Sequence, residues 1–343
     1  ADYSGCGHWR MIWPELLLNC YGKANVQGGT VMVGDKNFYK GIKTIRIQRQ
    51  ATESQLSYIK WLKQIQPECG FKIVYEIPHY NKFRFAFEDP SIRKTSMNIM
   101  QICDEITVTN KFMKEYYIEK TGNKNVTVIP NFIPKFWMDR YYNLEEIRNN
   151  YQQFKGKPRV VYCGSGAHFD VENKIGQKDD FFHVNEIIRE TVDDFQWVFV
   201  GGFPLTLRDL ISQKKIEYHE WSNLVEYPEY ISKLKATVFY APLEDSNFNK
   251  AKSDLKFIEA CAFGIPSIMQ DLCICQDLCT YETAFHKFKT GDDLINKVKL
   301  ITGDTKKYLK EVKRARNYID KRWMETNIDY YSELYSFPYG DKE

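Results

Sequence analysis

Short apolar runs alternate with amphipathic helical patterns along most of the chain. Uniformly apolar runs between helix-period segments are typical of parallel strands that are covered by helices on both faces. In the first half the predicted strands are 30–33, 44–47, 71–77, 105–109 and 125–129, and the predicted helices are 9–19, 53–64, 91–102 and 111–120.

The alternation stops over residues 134–158 and then restarts. The second half has predicted strands at 159–163, 196–200, 215–219, 236–240 and 267–269, predicted helices at 181–190, 228–234 and 254–263, and a helical pattern from 292 onward. We therefore predict an α/β fold with two Rossmann-like domains that face each other across a cleft, and a C-terminal helix that crosses back to the first domain.

The predicted boundaries follow from where the pattern breaks. They are 1–134 for the first domain, 135–157 for the connection, 158–322 for the second domain and 323–343 for the returning helix. A glycine-rich turn at residues 4–7 comes directly after Ala1. Since such a turn normally follows a buried strand, we expect the first strand of the sheet to lie before Ala1.

Composition limits the classes of function only broadly. The 343 residues, 43% hydrophobic and 27% charged, suit two ordinary globular domains. A net charge of +3 neither identifies nor excludes a nucleic-acid binder, because a local patch matters more than the sum. No run of 18 apolar residues is present, so we expect no membrane span and a cytoplasmic location.

The nine cysteines are scattered and include no C-x-x-C pair. The tightest group is Cys273, Cys275 and Cys279, which lacks a fourth ligand for a tetrahedral zinc ion. We expect free thiols in a reducing compartment and no metal site.

The helix predicted at 254–263 carries the clearest chemistry. Ser253 and Asp254 are residue types that begin helices, and Gly264 with Pro266 ends this one. A helix that starts after a parallel strand offers free amides and a positive dipole end to an anion. This start is therefore a candidate phosphate site.

Two lysines and a glutamate surround that helix start. Lys252 and Lys256 add positive charge, and Glu259 lies one turn after Lys256. Amides and lysine suit a diphosphate, and a carboxylate suits the hydroxyls of a ribose. The plain alternative is an amphipathic surface helix with a Lys–Glu pair.

Residues 241–269 resemble the donor-binding signature of the retaining glycosyltransferases with the GT-B fold, family 4-like. In that family a glutamate at the position of Glu259 binds the donor ribose and ends a motif of two glutamates separated by seven residues. Ala251 stands at the position of the first glutamate. This departure leaves the contact to the donor sugar open among Asn249, Lys252 and Glu244.

The resemblance extends over most of the chain. Pro130-Asn131 is similar to the family's interdomain signature, and the turn of Gly164, Ser165 and Gly166 is similar to its phosphate-side loop. It implies transfer, with retention, of a hexosyl or pentosyl group from a nucleoside-diphosphate donor, expected to be a UDP-sugar, without a required cofactor. No Asp-x-Asp pair is present, which argues against the metal-dependent single-domain glycosyltransferases.

A weaker resemblance concerns the acceptor. Gly5-Cys6-Gly7 and residues 75–80 are similar to phage enzymes that glycosylate hydroxymethylcytosine in their own DNA. This implies a modified cytosine in double-stranded DNA as acceptor, flipped out of the duplex, in the host cytoplasm. A saccharide, lipid or protein acceptor is the alternative.

The candidate site residues are therefore of three kinds. Each also has a structural interpretation, such as a tight turn, a core histidine or a solvated loop. Lys256 and His79 are the candidate catalytic residues; the donor-binding set is Gly164, Ser165, Gly166, Lys252, Ser253, Asp254, Lys256 and Glu259; the acceptor-binding set is Gly5, Gly7, His8, Lys82 and Arg84, with Arg46 and Arg49 adding to a basic face.

Two other classes of function compete with a transferase. A non-catalytic binding protein on the same fold is favoured by Ala251. A dinucleotide-dependent oxidoreductase is disfavoured because the third glycine of G-x-G-x-x-G is replaced by Arg10 in one candidate loop and by Phe169 in the other.

Overall fold

The computed structural model describes residues 5–77, 90–169, 179–272 and 285–336, which divide into two compact units. The first unit holds the described residues up to Phe132, residues 251–253 and those from Met324 onward. The second holds the described residues of 133–250 and 254–323. Each unit contains a parallel sheet with helices, so the predicted α/β class is confirmed. Within the described ranges, no helix has the length and apolar character needed to cross a membrane.

The first unit is built on a four-stranded parallel sheet in the order β1-β2-β3-β4. All five residues of β2 are buried, as expected for an inner strand of a parallel sheet. Its strands are β1 Thr44–Gln48, β2 Lys72–Glu76, β3 Glu105–Val108 and β4 Val126–Val128, and its helices are α1 Gly5–Gly7, α2 Trp13–Cys20, α3 Glu53–Cys69, α4 Pro90–Ile102 and α5 Lys111–Thr121.

Two sequence predictions for this unit are wrong. Gly5 and Gly7 do not form a turn but lie in α1, which continues through the π-helical residues His8–Ile12 into α2. Residues 30–33 form no strand. Val31 is 81% exposed, so its β-branched side chain has no packed surface on which a strand could rest.

The second unit is built on a six-stranded parallel sheet in the order β10-β9-β8-β5-β6-β7. Strand β10 was not predicted from the sequence. The strands are β5 Arg159–Cys163, β6 Gln196–Val200, β7 Glu217–His219, β8 Val238–Ala241, β9 Ser267–Gln270 and β10 Phe285–Phe288. The helices are α6 Lys135–Met138, α7 Leu144–Gln153, α8 Asn185–Glu190, α9 Arg208–Ser212, α10 Tyr227–Lys233, α11 Asn247–Lys250, α12 Leu255–Ala262, α13 Gly291–Thr302 and α14 Thr305–Ile319.

The strand order of this sheet reverses between β5 and β8. From β5 the chain builds outward through β6 and β7, and it then returns to β8 on the other side of β5 and continues through β9 to β10. In open α/β sheets such a reversal leaves a crevice at the carboxyl ends of the two strands, where ligands bind. The crevice here lies beyond Cys163 and Ala241.

The last described helix, α15 Asp329–Ser336, belongs to the first unit. It contacts β1 and α2, and Tyr331 is fully buried there against Phe132. The expectation that the C-terminal helix returns to the first unit is confirmed.

A buried ion cluster links the elements of the first unit. The Glu76 carboxylate at the end of β2 accepts hydrogen bonds from Arg10 Nε at 2.7 Å, from Arg46 on β1 and from Thr107 on β3. Arg10 Nη1 also donates to the Ile129 carbonyl at 2.7 Å. Burial alone would raise the pKa of Glu76, but the two guanidinium groups hold it below its usual value. Arg46 therefore does not contribute to an exposed basic face.

We predict that Glu76→Gln destabilises the protein by about 3–5 kcal/mol, because it leaves two buried guanidinium groups without their counter-ion. Chemical denaturation measures this as a loss in the free energy of unfolding. Glu68→Gln is the matched control, since Glu68 pairs with Lys36 at an exposed site and should cost less than about 1 kcal/mol. Equal effects of the two changes would contradict the role of the cluster.

Candidate functional site

Helix α12 lies in the chain between the two inner strands β8 and β9, next to the reversal in strand order. Phe257, Ile258 and Cys261 are buried and seat the helix in the core. Lys256 and Glu259, one turn apart, are only partly buried and line a small concavity with Cys163, Tyr227 and other residues. The structure therefore brings these two predicted residues together at the crevice.

Lys256 is folded back onto the end of β5. Its ammonium donates to the Cys163 carbonyl and lies 4.2 Å from the centre of the Tyr162 ring, a cation–π distance. Burial lowers the pKa of Lys256, and nearby negative charge, including that of Glu259, opposes the shift. An anion bound beside this lysine would favour its charged form.

Glu259 is a carboxyl group in an apolar environment. Tyr227 donates its hydroxyl to Glu259 Oε2 at 3.2 Å. Burial raises the pKa of Glu259 to about 7, although the Lys256 ammonium and the Tyr227 hydrogen bond both act to lower it. The group therefore changes its charge within the physiological pH range.

An aromatic stack begins at Tyr227 and reaches the surface. Tyr227 is stacked on Trp137 with ring centres 6.1 Å apart, and Trp221 lies 6.4 Å from Tyr227 on a tilted plane. Trp221 is 59% exposed. It closely approaches Gly201, whose φ of +85° favours glycine and where a Cβ would overlap the indole. The exposed indole is a surface on which a planar ligand can stack.

Helix α14 and the residues after it hold both ends of α12. Arg316 donates to the Ala262 carbonyl at 2.7 Å, at the negative end of the α12 dipole. Arg322 binds the carboxylate of Asp254, the N-cap residue, at 2.7 Å. Asp254 makes no side-chain cap with the first turn of α12. The Phe257 amide in the first turn donates instead to the Asp254 backbone carbonyl at 2.9 Å.

The loops after β5 and β8 are joined through Asp180. Its carboxylate lies 2.7 Å from His168 Nδ1 and accepts from Asn249 Nδ2 at 2.6 Å and from the Glu244 amide at 3.1 Å. Asn249 Nδ2 also donates to the Glu244 carbonyl. The sequence analysis did not predict this network, because Asp180 is 12 residues from His168 and 64 and 69 residues from Glu244 and Asn249 along the chain.

The other predicted donor residues fall into two groups. Gly164, Ser165 and Gly166 directly follow β5, with Gly166 opening a short 3₁₀ turn. Residues 251–253 cluster with the first unit instead: the Lys252 carbonyl accepts from Asn110, and the Ser253 hydroxyl accepts from Asn131. The side chain of Ser253 therefore does not cap α12 as the sequence had suggested.

The predicted acceptor residues are only partly covered by the structure. His79, Lys82 and Arg84 lie outside the described residues, as do Cys273, Cys275 and Cys279. Gly5, Gly7 and His8 lie at the start of the N-terminal helical segment, where the His8 ring is 5.2 Å from Trp13.

Comparison with known proteins identifies the fold. No protein-family model matches the sequence, and no curated protein matches it. Among solved structures, Anabaena Alr3699/HepE in complex with UDP and glucose has a TM-score of 0.59 at 11% identity, over 98% of this chain and 84% of that chain.

Two further solved structures agree with this. Sucrose-phosphate synthase from Thermosynechococcus elongatus has a TM-score of 0.58 at 16% identity, over 86% of this chain and 73% of its own. A glycosyltransferase from Rickettsia africae has a TM-score of 0.56 at 13% identity, over 98% and 84%. At such low identity the likeness shows that this chain shares the fold of these proteins.

We predict that Gly164→Ala disturbs the seat of Lys256. A Cβ at Gly164 would overlap the hydroxyl of the buried Tyr162 and lie 2.8 Å from Lys256 Nζ, so overpacking should cost about 1–3 kcal/mol. Thermal unfolding measures the loss. Gly166→Ala is the matched control, because a Cβ there meets nothing within 4 Å. A neutral Gly164→Ala would contradict the described packing around Lys256.

Proposed function

We propose that this protein is a glycosyltransferase that transfers a sugar from a nucleoside-diphosphate donor to an acceptor hydroxyl. The observation that carries the proposal is the pair Lys256 and Glu259, one turn apart on α12 at the reversal of the sheet. The pair combines a cation next to an uncapped helix start with a carboxylate next to an aromatic stack. These are the groups that a diphosphate and a nucleoside require.

The diphosphate would bind at the start of α12. Amides of the first turn and the positive dipole end attract an anion there, and Lys256 supplies a full charge. As the leaving group departs, negative charge grows on the diphosphate. A preorganised ammonium in a site of low dielectric stabilises that charge more than water would. Lys256 is therefore the catalytic residue in this proposal.

The nucleoside would bind on the other side of Lys256. The Glu259 carboxylate, held by Tyr227, is placed to accept hydrogen bonds from the two ribose hydroxyls. The exposed face of Trp221 offers a stacking surface for the base. UDP is the proposed nucleotide, since Alr3699/HepE was solved with UDP-glucose as well as with UDP.

Among the described residues, Asn249 bears on how the donor sugar would be bound. Asn249 is fully buried; its Nδ2 donates to Asp180 and to the Glu244 carbonyl, while its Oδ1 has no hydrogen-bond partner among the described residues. Retention of configuration and a hydroxymethylcytosine acceptor in DNA remain part of the proposal through the sequence resemblance alone. A saccharide, lipid or protein acceptor is the alternative.

The first test of the proposal is thermal unfolding with UDP, GDP, ADP or NAD. UDP at about 100 times its dissociation constant should add about 2.7 kcal/mol to the free energy of unfolding. Lys256→Met should remove most of the UDP effect, because it keeps the aliphatic stem and deletes the charge. Stabilisation by NAD alone would contradict the proposal and favour an oxidoreductase.

A second prediction concerns pH. With the pKa of Glu259 raised to about 7, its carboxyl is mainly neutral at pH 6 and ionised at pH 8. UDP-glucose should therefore bind up to about tenfold more tightly at pH 8, because the ionised form accepts both ribose hydroxyls. The stability of the free protein depends on pH in the opposite direction. Its neutral Glu259 carboxyl contributes stability that is lost as the pH rises through 7.

Isothermal titration at both pH values measures this change in affinity. Glu259→Gln is the control that subtracts any other titrating group, and it should bind equally at pH 6 and pH 8. The same pH dependence in Glu259→Gln would exclude Glu259 as its source.

A further inference from the structure

A buried histidine–aspartate pair lies in the segment after β5 and has no part in the function proposed so far. His168 Nδ1 lies 2.7 Å from the Asp180 carboxylate, and only 11% of the His168 side chain and 1% of the Asp180 side chain are exposed. Since a carboxylate accepts, Nδ1 is the nitrogen that carries a proton toward it. Nε2 lies on the other side of the imidazole ring and is directed away from Asp180.

Asp180 is also held by the loop that follows β8. Asn249 Nδ2 donates to its carboxylate at 2.6 Å, and the Glu244 amide donates at 3.1 Å. The carboxylate therefore cannot turn away from the imidazole without the loss of buried hydrogen bonds, which are costly to leave unmade. This network fixes the orientation of the His168 ring.

His168 and Lys256 lie around the same aromatic ring. The Lys256 ammonium is 4.2 Å from the centre of the Tyr162 ring, and the His168 ring is 6.1 Å from that centre in an edge-on arrangement. Burial lowers the pKa of Lys256, and the charge of Asp180 is among those that act to raise it. The imidazole and the ammonium therefore belong to one site at the end of β5.

The hydroxyl of Tyr162 is a second reason to place an anion at this strand end. It is buried, has no hydrogen-bond partner among the described residues, and lies so close to Gly164 that a Cβ there would overlap it. Buried hydroxyls in folded proteins are nearly always paired, so this one can donate to a phosphate oxygen that binds against the turn of residues 164–166. A nucleoside diphosphate also carries more negative charge than Lys256 alone can balance.

We propose that His168 is a second cationic contact for the donor diphosphate, beside Lys256, and that Asp180 is the residue that positions it. The inference rests on the proposed function and adds two residues to it. In the bound state Nε2 carries a proton and donates to a phosphate oxygen, while Nδ1 donates to Asp180. The imidazolium then stabilises the negative charge that develops on the diphosphate as the leaving group departs.

This role and a purely structural role predict different dependence on the ligand. If His168 only joins two loops, its removal should lower stability and weaken every ligand at the site alike. If it contacts the diphosphate, its removal should weaken UDP and leave uridine, which has no phosphate, unchanged. The ratio of the two affinities therefore separates the phosphate contact from effects on the fold.

The experiment measures the affinities for UDP and uridine by isothermal titration, at a temperature where each variant is folded. His168→Ala should bind UDP about tenfold more weakly, because one charge-assisted hydrogen bond is lost, and should bind uridine within about twofold of the unchanged protein. His168→Gln keeps a neutral donor and should lose less UDP affinity. It also provides a measurement if the alanine variant does not fold.

The role of Asp180 is tested by a double-variant cycle. Asp180→Asn should weaken UDP binding in part, because it removes the charge that orients and balances the imidazolium. In the His168→Ala background, Asp180→Asn should cause no further loss, since a positioning residue acts only through the residue that it positions. His286→Ala is the matched control: His286 on β10 lies 3.2 Å from Glu311, and its loss should leave both affinities unchanged.

The outcomes separate the inference from its premise. Failure of the unchanged protein to bind UDP would overturn the proposed function, and this inference with it. If the unchanged protein binds UDP, an unaltered UDP affinity in His168→Ala, or equal losses of UDP and uridine affinity, would overturn the inference alone. A further loss from Asp180→Asn in the His168→Ala background would overturn the positioning role of Asp180.

Discussion

The site in the second unit depends on the placement of one ammonium group. Lys256 gives up much of its hydration at the end of β5, and the Cys163 carbonyl and the Tyr162 ring replace only part of it. Because Gly164 has no side chain, the lysine can approach this closely. The same placement sets Glu259 one turn away in an apolar environment, where burial raises the pKa of its carboxyl to about 7.

The two units treat buried charge in opposite ways. In the first, Glu76 at the end of β2 is matched by Arg10 and Arg46, and the three groups join the N-terminal helical segment to strands β1 and β2. In the second, Lys256 and Glu259 are only partly buried beside a concavity, and no comparable network encloses them among the described residues. The first arrangement suits stability, and the second leaves room for a charged ligand.

Helix α12 is held by contacts that lie outside its own sequence. Arg316 binds its last turn and Arg322 binds the residue at its start, both from α14 or directly after it. Two fixed ends determine how the helix presents Lys256 toward β5. A helix of only eight residues would be marginal by its own propensity, so its geometry comes from packing.

The sequence by itself determined the parallel α/β class, most strands and helices, and the placement of Lys256 and Glu259 one turn apart, because apolar runs and helical spacing are local properties. It did not determine that Gly5 and Gly7 are helical, that 30–33 is not a strand, or that β10 exists. The partners of Arg46 and Asp254, and the strand order that creates the crevice, were decided by tertiary structure alone. These features depend on which distant residues meet. The local sequence around a charged side chain is the same whether that side chain contacts solvent, an ion-pair partner or a ligand.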